Sequence, residues 1–180
     1  AEKPHGQTWT WAILLGALVI GTWLRWIYVE GTPATLRAHD FQGHMDYLGF
    51  VLEHGRIPTA TQGFQGYQPP LYYFIAAPIA AQVETGGRPD LGVLQQLALW
   101  ASVVSLGVAL WVGRLLLGAR PGRLALFSLG LASFPGLVFG ASRVGNDGLV
   151  QLLIFLGFAG LLCWWQTGRA RWWFFAATAT

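Results

Sequence analysis

Residues 39–47, HDFQGHMDY, hold two histidines and two aspartates in a chain whose residues are 54% hydrophobic. Asp40, His44 and Tyr47 are spaced so that a helix would place them on one face. An aspartate and a histidine one helical turn apart can bind a divalent cation, although a metal site needs further ligands. Three interpretations of this segment stay open on these residues: a solvated surface helix, a metal site and a catalytic carboxylate.

The residues around this cluster have the apolar period of an amphipathic helix. Four apolar side chains recur at helical intervals: Phe41, Met45, Leu48 and Leu52. Gly55 and Pro58 follow them as a stop signal. We therefore predict a helix over 38–54 that lies on the membrane surface with this apolar stripe toward the lipid.

A second group of polar residues, SRVGNDG at 142–148, separates two apolar segments. One interpretation is a turn between helices, in which Asn146 or Asp147 caps the helix that begins next. The other is that Asp147 and Arg143 share a cavity with Asp40, which requires both polar groups to lie on the same side of a membrane. The residues alone do not decide between the two.

A third element, GYQPPLYYF at 66–74, contains two consecutive prolines that favour an extended entry into a helix. Tyr67 and Gln68 come directly before these prolines. The tyrosines of the segment suit a membrane–water interface, where this residue type is common. By itself the element indicates the start of a helix rather than a site.

The composition places these polar groups in a membrane protein. The mean hydropathy is +0.46 and 11% of the residues are charged, which is outside the usual range of soluble domains. Several apolar segments reach the roughly 20 residues that a transmembrane helix needs. We predict an all-α, multi-pass membrane helix bundle over 1–180, surrounded by membrane lipids. Its spans are predicted at about 9–29, 91–117, 124–142, 148–165 and from 172 onward.

Basic residues predict how the bundle is oriented. A net charge of +3 fits the lysine and arginine excess that orients membrane proteins, so we expect no nucleic-acid partner. The connections 118–123 and 166–171 contain arginine and no acid, and with Lys3 they predict a cytoplasmic N-terminus. If 69–83 crossed the membrane, the basic connection 118–123 would lie outside and break this rule. We therefore predict that 69–83 is a short or re-entrant helix and not a span. The polar loop 30–68 and its helix become extracytoplasmic.

In chain order, these elements resemble the N-terminal module of GT-C membrane glycosyltransferases. A first span is followed by the D-x-x-x-H helix that ends in HGRIP, then by YQPPLYY, a basic turn and FPGLVFGASRVGNDG. This order is similar to that of polyprenyl-phosphate-sugar enzymes such as the protein mannosyltransferases and the aminoarabinose transferase of lipid A. The resemblance covers nearly all of 9–180, and we expect the chain to be the N-terminal part of a longer protein.

The resemblance implies transfer of a sugar from a polyprenyl-phosphate carrier to an acceptor, on the extracytoplasmic face of an inner or plasma membrane. It assigns Asp40 as the catalytic base, or as a residue that orients the acceptor or a metal. Asp147 matches the acid of the second loop, and the two aspartates would hold a divalent metal, Mg²⁺ or Mn²⁺. The substrate would contact a further set of residues: His44, Tyr67, Gln68, Arg143 and Asn146.

Two other functions stay open on the sequence. A non-catalytic transmembrane accessory subunit of a larger membrane complex could pack through the ten tryptophans and the small-residue faces of this chain. Its partners would be other membrane subunits instead of a lipid-linked sugar. A transporter segment would also combine a short, broken helix with polar groups at membrane depth.

Overall fold

The protein is described by a computed structural model that covers residues 4–36, 40–63, 65–85, 88–118 and 120–179. Lys3 and His39, which contribute to the sequence predictions, lie outside these residues. The described residues form eight helices: α1 Pro4–Glu30, α2 Phe41–His54, α3 Leu71–Ala81, α4 Leu91–Leu117, α5 Pro121–Ala132, α6 Pro135–Gly140, α7 Asp147–Thr167 and α8 Ala170–Ala179. A short antiparallel ladder, β1 Glu84–Thr85 and β2 Arg88–Pro89, connects α3 to α4. The predicted all-α helix bundle is confirmed.

Three helices in the described part of the chain are long and apolar enough to cross a bilayer. They are α1 from Thr8 onward, α4 and α7, with 23, 27 and 21 residues. The predicted spans 9–29, 91–117 and 148–165 fall within these three helices. The protein is therefore membrane-embedded and multi-pass.

The segment 124–142, predicted as one span, is broken into α5 and α6. Pro135 is the cause, because the residue before a proline is pushed out of helical conformation. Phe134 has φ −60° and ψ 117°, an extended geometry. The last predicted span, from 172 onward, is the 10-residue helix α8 in the described residues.

Arg25 holds this break together from the neighbouring helix. Its position near the end of α1 predicts that the side chain extends to the interface, but in the structure it is fully buried. Its Nη1 donates to the carbonyls of Ala132 (3.1 Å) and Gly21 (2.9 Å), and its Nε donates to Ser102 Oγ (3.0 Å). Ser102 Oγ in turn donates to Leu137 O at 3.2 Å. The expectation that Arg25 extends outward is wrong because the break leaves carbonyls that need a donor inside the bundle.

The face of α2 that packs against the protein is rotated from the predicted apolar stripe. His44, Tyr47, Leu48 and Val51 are buried, whereas Leu52 is exposed. Tyr47, Leu48 and Val51 share a buried cluster with the small residues of α3, Ala76, Ala77 and Ala80. Alanines let two helices approach closely, so the larger side chains of α2 are accommodated there. Of the predicted stripe, only Leu48 is fully buried, while Phe41 and Met45 are partly buried against the same cluster.

Both ends of α3 lie at one end of the bundle, here called the site end. Gln68, just before α3, accepts a hydrogen bond from Asn146. Gln95, in the first turns of α4, donates to the carbonyls of Thr32 (2.9 Å) and Ser142 (3.2 Å). At 1.5 Å per residue, the 11 residues of α3 span only about 16 Å of a hydrocarbon core of about 30 Å. A segment 69–83 that does not cross the membrane would likewise have both of its ends on one side.

Candidate functional site

The site end is built around the imidazole of His44 on α2. Its side chain is only 9% exposed, and Nδ1 lies 2.6 Å from Tyr73 Oη on α3. Either atom can be the donor in this bond, depending on the tautomer of His44. The bond fixes the orientation of the ring relative to α3.

Tyr73 is fully buried and held by two other tyrosines. Its ring stacks on that of Tyr47 with the centroids 3.6 Å apart, and Tyr72 meets it edge-on at 5.2 Å. Burial raises the pKa of Tyr73, and the neighbouring tyrosines and Asp147 raise it further. The hydroxyl therefore keeps its proton and remains a hydrogen-bond group for His44 across the physiological range.

Two carboxylates from separate segments act on the same imidazole. Burial lowers the pKa of His44, while the charges of Asp147 and Asp40 raise it. Asp40 immediately precedes α2 and Asp147 begins α7, and both side chains are exposed. The charges of the two predicted acids thus both favour the protonated form of this imidazole.

Gly145 provides the space for the imidazole. A Cβ atom at this position would lie 2.9 Å from His44 Nε2, closer than a non-bonded contact allows. Nε2 has no hydrogen-bond partner among the described residues. The turn 142–147 therefore contacts the one imidazole nitrogen that is free to exchange a proton with a substrate or water.

Arg143 supplies a cation beside this turn. Its Nη1 lies 3.6 Å from Asp147 Oδ2, and the two side chains are 51% and 65% exposed. Exposed ion pairs of this kind contribute little to stability, about 0–1 kcal/mol. The guanidinium can therefore exchange its partner for an incoming anion at low cost.

A chain of amides borders the site on the other side. Asn146 Nδ2 donates to Gln68 Oε1 at 2.9 Å, and Gln68 Nε2 donates to Gln65 Oε1 at 2.8 Å. Asn146 is at the N-cap position of α7, as one interpretation of the turn expects, but its side chain makes no cap bond there. Gln65 is buried, and its Nε2 has no partner among the described residues. Tyr67 is 64% exposed beside this chain.

The described residues contain no cluster of three or more histidine, cysteine or acidic side chains that could hold a metal ion. Asp40, Asp147 and His44 instead combine with Arg143. The arrangement provides carboxylates and an imidazole that can accept a proton, and a guanidinium that can bind an anion. The metal role predicted for the two aspartates stays a prediction.

The sequence predicts that Tyr72 to Phe74, at the aromatic end of 69–83, line the wall of the Asp40 cavity, and in the structure Tyr73 contacts His44. The residue that sequence reasoning misses is Gly145, which the sequence indicates only as part of a turn. The role of Gly145 depends on a contact with a distant residue and leaves no local signal.

Comparison with protein-family models, with curated proteins and with solved structures found no match for this chain.

Proposed function

We propose that the protein is a glycosyltransferase that moves a sugar from a polyprenyl-phosphate carrier to an acceptor on the extracytoplasmic face of the membrane. The observation that carries the proposal is that the turn 142–147, which holds the Arg143–Asp147 ion pair, packs through Gly145 on the buried imidazole of His44, four residues after Asp40. Both carboxylates are exposed and contribute little to packing, so the proposal gives them a chemical role instead.

The chemistry needs one proton acceptor and one anion site. The acceptor oxygen attacks the anomeric carbon as the bond from this carbon to the phosphate oxygen breaks. The acceptor proton passes to Asp40, and the phosphate leaves with the bonding electron pair. Arg143 can then stabilise the negative charge that develops on the phosphate.

His44 positions this chemistry in the proposal. It lies one helical turn after Asp40, and its backbone N–H donates to Asp40 O at 3.1 Å. Its Nδ1 contact with Tyr73 and its Nε2 contact with Gly145 connect α2, α3 and the turn 142–147. If transfer needs a divalent metal, Mg²⁺ or Mn²⁺, the carboxylates of Asp40 and Asp147 would be its ligands.

The proposal is tested by incubating the purified protein in liposomes with labelled polyprenyl-phosphate sugars, with and without Mg²⁺ or Mn²⁺. We expect release of polyprenyl phosphate from one of the donors. We expect this release to be lost in Asp40→Asn and kept in Asp46→Asn. Asp46 is a matched control because it lies on the same helix and accepts a hydrogen bond from Gln42. Equal release by both variants would contradict the assignment of Asp40.

The second candidate is a non-catalytic accessory subunit, and it is favoured by the exposure of α7 and α8. Only 28% of the most apolar stretch of α7 is buried inside the protein. Trp165 and Phe174 are 83% and 62% exposed. Other membrane subunits could cover these faces. In this case the purified single chain would release no polyprenyl phosphate, and release would require co-expressed subunits and survive Asp40→Asn.

A further inference from the structure

A groove on the outer surface between α1 and α4 lies toward the end of the bundle opposite His44. It has a volume of about 320 Å³ and an apolar lining that includes Trp11, Leu14, Leu15, Gly107 and Trp111. Leu14 is buried and forms part of the floor, whereas Trp11 and Trp111 are 52% and 36% exposed. Indole side chains at such positions are typical of the membrane–water boundary.

Gly107 makes the groove deep at its centre. A Cβ atom at this position would meet no other atom within 4 Å, so the missing side chain leaves open space rather than relieving a clash. The groove is thus an unfilled surface that a flexible apolar chain can occupy.

Arg114 lies beside Trp11, at the end of the groove nearest the membrane–water boundary. Its guanidinium carbon is 4.7 Å from the centre of the Trp11 ring. None of its side-chain nitrogens has a hydrogen-bond partner among the described residues, and Nε is buried. An unpaired donor removed from water destabilises a protein.

The segment of the chain around Arg114 carries only basic charge. The sequence contains no aspartate or glutamate from 91 to 146. The arginines of the following connection, Arg120 and Arg123, are exposed. A ligand with a negative head and an apolar tail would therefore satisfy both parts of this surface.

We infer that the groove binds an anionic phospholipid, with its phosphate on Arg114 and one acyl chain lying over Gly107 between Trp11 and Trp111. The ligand class follows from charge complementarity: an apolar groove alone would accept any lipid, but a guanidinium at its end, without a hydrogen-bond partner among the described residues, selects a negative head group. This site is separate from the proposed sugar transfer at the other end of the bundle, and it requires no catalysis.

The inference is tested by native mass spectrometry of the purified protein with phosphatidylglycerol or phosphatidylcholine of identical acyl chains. We expect wild type to retain phosphatidylglycerol about fivefold better, since an arginine near an anionic head group contributes about 1 kcal/mol. Arg114→Gln should retain both lipids equally, and Arg114→Lys should keep the preference. Gly107→Leu should lose both lipids.

Two controls keep the result specific. Arg123→Gln removes a nearby positive charge, and Gly130→Leu adds the same side chain at another open glycine, on α5. Both should bind lipid as wild type does. Equal retention of the two lipids by wild type would overturn the inference. So would a preference that survives Arg114→Gln or that is lost in Arg123→Gln.

Discussion

His44 is the residue at which the elements of the site meet, and two opposing influences act on its charge. Burial favours the neutral imidazole, while Asp147 and Asp40 favour the charged form, and burial is the larger effect. Tyr73 can accept or donate a hydrogen bond, so it does not force one state. The group is therefore neutral in the resting protein but sits beside two carboxylates that would stabilise a proton gained during a reaction.

The lowered pKa of His44 predicts how stability depends on pH. The folded imidazole has a pKa below its ordinary value of 6.5, so the unfolded state binds the proton first as the pH falls. The contribution of His44 is complete above this value and is lost on acidification below it. Between about pH 7.5 and about pH 5.5, the melting temperature of wild type should fall more than that of His44→Gln.

The control for this measurement is His54→Gln, since His54 is on the same helix but exposed. This variant should keep the wild-type fall in melting temperature. If His44→Gln shows the same acid sensitivity as wild type, the imidazole is not held neutral by the fold.

At the scale of elements, the broken helix α5–α6 depends on α1 and α4 for its hydrogen bonds. Arg25 reaches Ala132 O, and Ser102 reaches Leu137 O, one on each side of the break. A cation at the end of α5 also meets the negative end of that helix dipole. The break is therefore a supported feature that brings the turn 142–147 back to the site end.

Removing Arg25 should destabilise the bundle. Arg25→Met leaves Ala132 O and Ser102 without their donor inside the bundle, which costs about 1–3 kcal/mol for each unsatisfied group. We expect a clearly lower melting temperature in detergent for Arg25→Met. Arg123→Gln, at an exposed arginine, should stay close to wild type. A wild-type melting temperature for Arg25→Met would show that the break needs no donor from α1.

The sequence predicts the elements better than it predicts their contacts. Long apolar segments locate α1, α4 and α7, and the proline pair locates the start of α3. The prediction that Leu48 faces lipid is wrong, because Leu48 is buried in a cluster with the alanines of α3, a partner that periodicity cannot see. Arg25 is mispredicted for the same reason, since the carbonyl it binds is exposed by a proline in another helix.

The candidate site is partly predictable in the same way. Asp40, Asp147, Arg143 and Asn146 are visible as polar residues in an apolar chain, and membrane topology alone suggests that the two acids share a side. Tyr73 enters the site only through the packing of α2 on α3. Its contribution is therefore set by tertiary structure, which overrides what a tyrosine in an interfacial segment indicates.

At the scale of the whole molecule, the site end collects the loop after α1, both ends of α3, the start of α4 and the turn before α7. The single side chain of Gln95 joins the loop after α1 to the turn before α7, because it donates to the carbonyls of Thr32 and Ser142. The helices α4 and α7 both begin at the site end, and the basic connections 118–123 and 166–171 follow their C-terminal ends. The positive-inside rule then predicts an extracytoplasmic site end.

This orientation is tested by cysteine labelling with a membrane-impermeant reagent. Cys163 is replaced by serine, and single cysteines are introduced as Thr85→Cys and Gly122→Cys. We expect Thr85→Cys to be labelled in intact cells or right-side-out vesicles, because the α3–α4 connection lies at the site end. Gly122→Cys should be labelled only after permeabilisation. The reverse pattern would place the site on the cytoplasmic face.

In the proposed function, Asp40 and Asp147 act in one glycosyl-transfer site around His44. The most direct test is the rate of sugar transfer by wild type, Asp40→Asn, Asp147→Asn and the double variant, measured with the donor that wild type uses. We predict that Asp40→Asn loses about 10²–10⁴ in rate, as expected for removal of a general base. The double variant should be little slower than the slower single variant, because residues that act as a unit are not additive. An unchanged rate in Asp40→Asn, or independent losses that multiply in the double variant, would contradict the claim.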